Sequence, residues 1–364
     1  MLQSTRFTYF AVWVLVLVPS VIEGFVPSGQ LSRVGSSTFK DDASTATSHG
    51  EVSRKTSLLA SPLFSLQSVA ETQVSSSMHP LKASLTKTGM MAYVASMCVA
   101  LPATLLPIAA LHKAKIISKT KKEKISLRTS QFCSRWLMRL IPFAKLEVIK
   151  EQEAGDNNEA AIWVCNHTSM LDIFVLLAAD KKLRGKKKRP IKIIYWKDLE
   201  KNFVTGLCFR MCGFFPVEME DNGNGSNNVY KRASFKSLLR GIKEAFDEGF
   251  DIGILPEGQL NPSPEKGLQP VFPGAFTLAK MSKRPIRFMG LHGLHNLWHG
   301  DENIGMKVTG RDVKVRAYPF GKTFSSADEF VKSFESVIGY FGANGQDHPE
   351  WMNFLRNEEK QKSA

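Results

Sequence analysis

A histidine and an aspartate in the segment Asn166–Asp172 are the residues best suited to proton-transfer chemistry. His167 follows the apolar run Ala160–Cys165, which predicts a buried strand, and precedes Met170–Ala179, which has the length and composition of a helix. An imidazole titrates near neutral pH and can take a proton from a hydroxyl group, while a neighbouring carboxylate fixes its tautomer. His167 and Asp172 are therefore a candidate general-base pair at a strand-to-helix junction.

The spacing within this pair requires a turn between the two residues. Residues five apart on one helix point about 140° away from each other, so they do not share a face. Ser169 is a plausible N-cap, and Ser169–Asp172 has the S-x-x-D form of a capping signal, so we predict a helix that begins at Met170. The same pattern also fits a simple helix cap, in which His167 would be structural.

Glu257, within the segment Gly253–Pro262 ("GILPEGQLNP"), is a second candidate. A strand ending just before it would place this carboxylate at the carboxyl end of a strand, where open α/β sheets bind ligands. Gly258 permits a positive φ or a close backbone approach, although proline and glycine beside an acid also fit an ordinary turn. The sequence contains no G-x-S-x-G motif, so a histidine–aspartate pair here would act on a hydroxyl group supplied by a substrate.

Strand and helix patterns alternate from about residue 150, which predicts an α/β fold with a mixed sheet flanked by helices, preceded by a membrane-embedded helical region. The predicted strands are Ala160–Cys165, Ile191–Trp196, Phe214–Val217, Asp251–Leu255, Ile286–Leu291 and Val313–Tyr318. The predicted helices between them are Asp198–Cys212, Val229–Glu248 and Pro273–Ser282.

The two motifs together, N-H-T-S-M-L-D and then L-P-E-G, resemble those of the glycerolipid acyltransferase family, in which H-x-x-x-x-D and P-E-G frame the active site. The resemblance implies that His167 deprotonates the acceptor hydroxyl for attack on an acyl thioester, and that Asp172 orients it. It also implies that Glu257 and Gly258 help to bind a glycerol-containing acceptor. We assign Asn166, beside the histidine, to the same substrate-binding group.

The segment "YWKDLEKNFVTGLCFRMCGFFPVEM" resembles the family block in which a lysine precedes a helix and a glycine leads to an arginine that contacts the acceptor phosphate. Lys197 matches the lysine, but Met219 stands where the arginine is expected. Arg210, Lys231 or Arg232 is expected to substitute, because a phosphate accepts donors from any suitable direction. Lys197 and Arg210 are thus predicted to bind substrate.

The resemblance covers roughly residues 135–320 and implies transfer of a fatty acyl group from acyl-CoA or acyl-carrier protein to 1-acylglycerol 3-phosphate, giving phosphatidic acid. Alternatives are an enzyme that uses glycerol 3-phosphate or another lysophospholipid, and a non-catalytic membrane-binding protein of the same fold. No metal or bound cofactor is needed. His292, His295 and His299 offer a metal hypothesis, which we disfavour because no H-E-x-x-H motif is present.

A formal charge of +14 on 364 residues predicts attraction to nucleic acid, anionic lipid or a phosphorylated substrate. The basic run Lys181–Pro190 has no interleaved aromatic residues, so we favour a solvated or lipid-facing loop over a nucleic-acid patch, and expect no nucleic-acid partner. The five cysteines are an odd number without C-x-x-C spacing, which predicts free and mostly buried thiols.

The amino-terminal region predicts targeting to a membrane compartment. Residues 1–24 have the pattern of a secretory signal peptide, with a short anchoring helix as the alternative, and residues 25–85 have a transit-like, disordered composition. The junction Gly24–Gly29 ("GFVPSG") resembles the bipartite presequence of algae with complex plastids. We therefore expect a plastid membrane, with the endoplasmic reticulum membrane as the alternative.

Residues 86–149 are predicted to embed in and lie on a bilayer. The uncharged stretch Gly89–Leu111, with Pro102 and Pro107 as expected kinks, is long enough to cross one. A lysine-rich segment and the amphipathic "FCSRWLMRLIPF" follow, which suits an anionic surface but also fits a solvated charge run beside a core helix. An acyltransferase domain over residues 150–320 and a C-terminal helical extension over 321–364 complete the predicted organisation.

Overall fold

The computed structural model describes residues 80–142, 144–150, 159–185, 188–220, 229–230, 232–299 and 312–356. The predicted signal peptide, nearly all of the transit-like segment, Lys231 and residues 221–228 lie outside these ranges, as does the side chain of Arg232.

Helices make up most of the described chain outside one large sheet. The α-helices are α1 (Pro80–Lys113), α2 (Lys119–Leu137), α3 (Asp172–Arg184), α4 (Phe203–Cys212), α5 (Arg232–Asp247), α6 (Gly274–Ser282), α7 (Ala327–Phe334), α8 (Tyr340–Asn344) and α9 (Trp351–Leu355). Short 3₁₀ turns occur at Met138–Leu140, Lys197–Lys201, Pro264–Lys266 and Leu294–Asn296, and a π-helical turn, Glu335–Gly339, joins α7 to α8.

The sheet has seven strands in the order β1-β9-β8-β2-β7-β3-β4. The strands are β1 (Lys145–Lys150), β2 (Ile162–Cys165), β3 (Ile191–Trp196), β4 (Phe215–Val217), β7 (Asp251–Ile254), β8 (Ile286–His292) and β9 (Asp312–Lys322). The five strands from β8 to β4 are parallel, whereas β9 runs antiparallel to β8 and pairs in parallel with β1. A separate antiparallel pair joins β5 (Met219–Glu220) and β6 (Val229–Tyr230). The predicted mixed α/β architecture is therefore confirmed.

Alternating side chains of the sheet enter two different hydrophobic cores. In β2, Trp163 and Cys165 pack into the core that contains residues of α1 to α4. Ile162 and Val164 pack into the second core, which contains residues of α5, α6, α7 and α9. Strand β2 is buried on both faces, as expected for a central parallel strand.

Several predicted boundaries were wrong for identifiable reasons. The predicted helix Asp198–Cys212 is interrupted at Asn202, whose side-chain oxygen caps α4 by accepting the N–H groups of Val204 and Thr205. Strand β1, Lys145–Lys150, was not predicted, because its lysines and glutamate alternate with apolar residues at a partly exposed sheet edge. It begins inside the region assigned to the membrane surface.

The basic run Lys181–Pro190 was predicted to face solvent or lipid, and for several of its side chains this was wrong. Arg184 and Arg189 bind Asp251 at 3.0 and 3.2 Å, and Arg184 also binds Asp180 at 2.7 Å. Lys188 is paired with Asp180 as well. These cations compensate two buried carboxylates that lie far apart in the sequence, which composition alone does not reveal.

Helix α1 contains the only segment of the described chain that is long and apolar enough to cross a membrane, Ser84–Lys113, with a mean hydropathy of 2.0. The helix runs through Pro102 and Pro107 without a break. Part of it also packs on the protein, since Leu101 and Leu105 are fully buried in the same core as α2. This apolar helix is a candidate membrane helix.

Helix α2 turns its small polar side chains inward and two large aromatic ones outward. Ser126, Ser130 and Ser134, spaced one turn apart, are fully buried. Phe132 and Trp136 are exposed on the other side. These serines add close contacts of small side chains to the apolar core contacts of Leu127 and Leu137, and the aromatic side chains of Phe132 and Trp136 remain uncovered in the monomer.

Candidate active site

Both sequence motifs lie at the carboxyl ends of two adjacent parallel strands. Strand β2 pairs directly with β7, with Val164 beside Ile254 in the register. The chain leaves β2 through Asn166 and His167, and it leaves β7 through Pro256 and Glu257. The two motifs therefore meet at one edge of the sheet, as the sequence predicted for a ligand site.

The His167 ring is held by a buried carboxylate. Its Nδ1 lies 2.8 Å from Oδ2 of Asp172, which is fully buried, while 20% of the histidine side chain is exposed. Asp172 Oδ2 also accepts the backbone N–H groups of Thr168 at 2.5 Å and Ser169 at 3.0 Å, and Oδ1 accepts the Thr168 hydroxyl at 3.1 Å. This carboxylate thus fixes both the loop and the imidazole, and the predicted contact between His167 and Asp172 exists.

The predicted helix start was wrong by two residues. The helix begins at Asp172, with Leu171 in the cap position, and Ser169 does not cap it. The Ser169 hydroxyl instead donates to the carbonyl of Trp298 at 2.7 Å and accepts the N–H of Leu171. Asp172 itself binds the preceding N–H groups, because a carboxylate in the first turn can reach back to the loop.

Glu257 supports the histidine loop through the main chain. Its Oε1 accepts the backbone N–H of His167 at 2.6 Å, and its Oε2 accepts that of Gln269 at 2.9 Å. Burial raises the pKa of Glu257 to about 7, although the two backbone N–H groups and His167 act to lower it. Gly258 takes a left-handed conformation with φ of 70°, which explains the glycine after the glutamate.

Two residues in the loop after Glu257 were missed by sequence reasoning. The N–H of Asn261 donates to the carbonyl of His167 at 3.1 Å, and its side chain donates to the carbonyl of Gly267 at 2.7 Å. The side chain of Gln269 lies 3.3 Å from Oδ1 of Asn261. The Asn-Pro turn signal at Asn261 was available in the sequence, whereas the approach of Gln269 depends on how the loop folds back.

Asn166 fastens β2 to β8. Its Oδ1 accepts the N–H of Leu291 at 2.8 Å, and its Nδ2 donates to the carbonyl of the same residue at 2.9 Å. Both polar atoms of this buried side chain are therefore engaged with main chain, in a pattern like one rung of a sheet. The geometry favours a supporting role over the predicted contact with a substrate.

Lys197 and Arg210 lie away from the His167 loop. Lys197 follows β3, which is separated from β2 by β7, so about 10 Å of sheet lies between the two strands. Lys197 is 53% exposed and pairs with Glu218, and Arg210 is 51% exposed and binds Glu200 at 3.3 Å. The structure places Lys197 at the same sheet edge as the motifs without bringing it into their hydrogen-bond network.

An apolar cavity with an empty volume of about 560 Å³, part of it open to solvent, adjoins the site. Cys165 and Leu255, at the carboxyl ends of β2 and β7, form part of its lining. The remaining walls are mostly aliphatic side chains of α3 and β3, with Gln131 and Asp180 as the polar members. Gln131 donates to Asp180 at 2.7 Å, so the two polar groups satisfy each other. The lining of this cavity is therefore predominantly apolar.

The histidines of the metal hypothesis take separate roles. His292 binds the carbonyl of Gly342 at 2.7 Å through Nδ1. The rings of His295 and His299 stand edge to face with centroids 6.5 Å apart, and His299 lies 3.5 Å from Glu265. Among the residues that the structure describes, no group of three or more ligating side chains could hold a metal ion. The cysteines of the described chain are free, and all except Cys98 are buried, as predicted.

The arrangement provides one oriented basic nitrogen at the carboxyl edge of the sheet. With Nδ1 directed at Asp172, the hydrogen of the neutral ring lies on Nδ1 and Nε2 carries the lone pair. Within the described ranges, no hydrogen bond engages Nε2. The site is therefore suited to take a proton from an incoming hydroxyl group.

Comparison with known proteins assigns a domain to this region. Residues 145–289 match the acyltransferase family model. The matched range includes both motifs, their strands and the loop between Glu257 and Gln269. By sequence, no curated protein matches the chain.

The structure of the 1-acyl-sn-glycerophosphate (LPA) acyltransferase PlsC from Thermotoga maritima is similar, with a TM-score of 0.52 and 17% sequence identity. The match covers 72% of this chain and 95% of that chain. At this identity the similarity shows a shared fold, a mixed α/β sheet flanked by helices.

Proposed function

We propose that the protein is a membrane-associated glycerolipid acyltransferase that moves a fatty acyl group from an acyl thioester to the free hydroxyl of 1-acylglycerol 3-phosphate, giving phosphatidic acid. The observation that carries the proposal is the 2.8 Å contact between His167 and Asp172 inside the acyltransferase-family domain. The match to PlsC, whose description names it an LPA acyltransferase, supports the choice of acceptor.

His167 takes up one proton and releases it again during the proposed reaction. His167 Nε2 takes the proton of the acceptor hydroxyl as its oxygen attacks the thioester carbonyl carbon, and Asp172 stabilises the resulting imidazolium. When the tetrahedral adduct collapses, the carbon–sulfur bond breaks and the imidazolium protonates the leaving thiolate. The products are the new ester and a free thiol, and His167 returns to its starting state.

Glu257 and Asn166 act on this chemistry by holding the main chain on either side of His167. Glu257 binds the N–H of His167, and Asn166 binds β8. We assign the acyl chain of the donor to the apolar lining beside Cys165 and Leu255. Lys197 serves the acceptor phosphate from the same sheet edge, and Arg210 adds positive charge near it.

Membrane association follows from the nature of both substrates and from α1. Acyl chains partition into lipid, and an enzyme that joins them gains from lying at the bilayer surface. Helix α1 has the length and hydropathy to enter that bilayer.

We place the enzyme in a plastid membrane of an alga with complex plastids, on the basis of residues 1–85. A reporter fused to these residues should reach the plastid, and retention in the endoplasmic reticulum would contradict this location.

The decisive experiment measures transfer with purified protein in liposomes. Labelled acyl-CoA and acyl-carrier protein are supplied as donors, and 1-acylglycerol 3-phosphate, glycerol 3-phosphate and neutral or zwitterionic lysophospholipids as acceptors. We expect labelled phosphatidic acid as the main product. His167→Ala should lower the rate by at least about a hundredfold, the usual scale for loss of a general base.

The same set of acceptors also tests which lysophospholipid the protein prefers. Met219 stands where the acyltransferase family that this sequence resembles has an arginine. This difference favours a second candidate function, the acylation of another lysophospholipid. A faster reaction with such an acceptor would replace 1-acylglycerol 3-phosphate in the proposal. No transfer with any acceptor, or equal transfer by the wild type and His167→Ala, would reject the enzyme function.

A further inference from the structure

The segment Glu335–Gly345, the π-helical turn followed by α8, lies beyond the residues that match the family model. It packs at the carboxyl end of β8, beside the proposed active site. Phe341 is fully buried against Gly290 of that strand, and a Cβ atom at Gly290 would come within 2.6 Å of the Phe341 ring. The glycine in β8 is thus required for α8 to approach the sheet.

A histidine joins this segment to the strand. His292, the last residue of β8, lies with Nδ1 2.7 Å from the carbonyl oxygen of Gly342. Because a carbonyl group only accepts, the hydrogen lies on Nδ1 of His292. Gly345 leaves room for the same ring, since a Cβ atom there would be 2.7 Å from Cδ2 of His292.

The same segment also lies close to Asn166, the residue before His167. A Cβ atom at Gly342 would lie 3.1 Å from Nδ2 of Asn166, closer than an ordinary contact. Asn166 is bound to Leu291, the residue before His292, and is followed by His167. A short path of bonded and packed groups therefore leads from Gly342 to the proposed general base.

A second contact reaches the Glu257 side of the site. A Cβ atom at Gly339 would lie 3.3 Å from Cδ1 of Leu268. The next residue, Gln269, donates its backbone N–H to Glu257, and Glu257 accepts the N–H of His167. One C-terminal segment thus contacts the supports on both sides of the histidine.

We infer that His292 and Gly342 are positioning residues for the acyl-transfer reaction, which set the place of His167 by holding Asn166 against β8. The inference rests on the proposed function, because it concerns the geometry of the same site. Neither residue touches the reacting atoms. Their loss should lower the rate of the chemical step, since displacement of a catalytic group by about 1 Å can cost up to a hundredfold.

The test compares His292→Leu with His292→Asn in full-length protein in liposomes. The leucine removes the hydrogen-bond donor, and we expect kcat to fall by about tenfold or more, with each KM changed by less than about twofold. The amide nitrogen of asparagine can donate in place of Nδ1, so His292→Asn should recover most of kcat. The pH profile of kcat should keep its midpoint in both variants, because His292 is not the base.

A matched pair of helix variants tests the contact with Asn166. Gly342→Ala adds one carbon toward the amide and should lower kcat in the same way. Ala343→Ser adds one atom at the neighbouring exposed position and should leave kcat unchanged. Thermal unfolding of each variant is measured in parallel, and kcat is referred to the folded fraction.

The outcomes separate this inference from the proposed function. Wild-type kcat in both His292→Leu and Gly342→Ala would overturn the positioning role while leaving the enzyme intact. Equal losses in His292→Leu and His292→Asn, or a shifted pH midpoint, would also overturn it. If His167→Ala is as active as the wild type, the proposed function itself fails. If His292→Leu does not fold, Gly342→Ala and His292→Asn decide the question.

Discussion

The two edges of the parallel sheet each gather polar groups around a buried aspartate, but they neutralise it differently. At the amino edge, Asp251 accepts the N–H of Ala161 and the indole N–H of Trp163 and binds two arginines. At the carboxyl edge, Asp172 accepts backbone N–H groups and a threonine hydroxyl and binds one imidazole.

The difference separates a structural site from one that can do chemistry. Guanidinium groups keep their charge at every physiological pH, so the amino edge has a fixed charge balance. At the carboxyl edge the partner is an imidazole, which can gain and lose a proton while remaining bound to its aspartate. A buried carboxylate alone therefore does not identify a candidate active site, whereas a carboxylate paired with an imidazole does.

Of the changes that compare the two edges, Asp172→Asn should have the largest effect on the reaction. The amide is uncharged and cannot stabilise the imidazolium. Its NH₂ group is a hydrogen-bond donor, so it cannot accept the loop N–H groups as a carboxylate oxygen does. We expect kcat to fall by about a hundredfold or more. Radiolabelled transfer measures the loss, and an activity within threefold of the wild type would remove the contrast between the two edges.

Asp251→Asn should lower the stability of the protein and leave its activity nearly unchanged. It removes the buried counter-charge of Arg189 and one of the two that Arg184 binds, so we expect the free energy of unfolding to fall by about 3 kcal/mol. Activity per folded molecule should stay within about twofold. Denaturant unfolding in detergent, combined with the transfer assay, checks both parts. A stable but inactive variant would show that the amino edge also serves the reaction.

Glu257→Gln should change how stability depends on pH. In the wild type the folded pKa of Glu257, about 7, exceeds the ordinary value of 4.5, so the folded state holds its proton more tightly. Stability should therefore decrease as pH rises from about 4.5 to 7, by up to about 3 kcal/mol. Unfolding midpoints measured from pH 5 to 8 should show this decrease in the wild type and lose it in the variant. Parallel curves for the two proteins would contradict the prediction.

The smallest effect is expected for Lys197→Ala. The lysine is half exposed and paired with Glu218, so its contribution to phosphate binding is reduced by solvent and by competition. We expect KM for a phosphate-bearing acceptor to rise by less than about tenfold, with kcat unchanged. An acceptor without the phosphate provides the control, and its KM should not move.

Much of the fold was predictable because the central strands are short and mostly apolar. Strand β3 was predicted with its observed ends, Ile191–Trp196, since "IKIIYW" is bounded by a proline and a charged turn. Strand β1 was missed because alternating charges at a sheet edge resemble a surface segment. The antiparallel position of β9 beside β8 also lay beyond sequence reasoning, because pairing direction depends on contacts between distant parts of the chain.

The site was predictable in its centre and not at its margins. His167, Asp172 and Glu257 stand in short motifs, and the structure brings all three into one network. Asn166 binds the main chain of Leu291, 125 residues away, and the backbone N–H of Gln269 binds the side chain of Glu257, 12 residues away. No local pattern encodes either contact. The inward turn of Arg184 and Arg189 was missed for the same reason.

The orientation of α2 has a practical consequence for anyone who shortens the chain. Cutting before Lys119 removes α1 but keeps Phe132 and Trp136 on the outside, and it uncovers apolar side chains such as Leu127 and Leu137 that now share a core with α1. Such a truncation leaves exposed hydrophobic surface on both sides of α2. We therefore expect fragments that lack α1 alone to be poorly soluble.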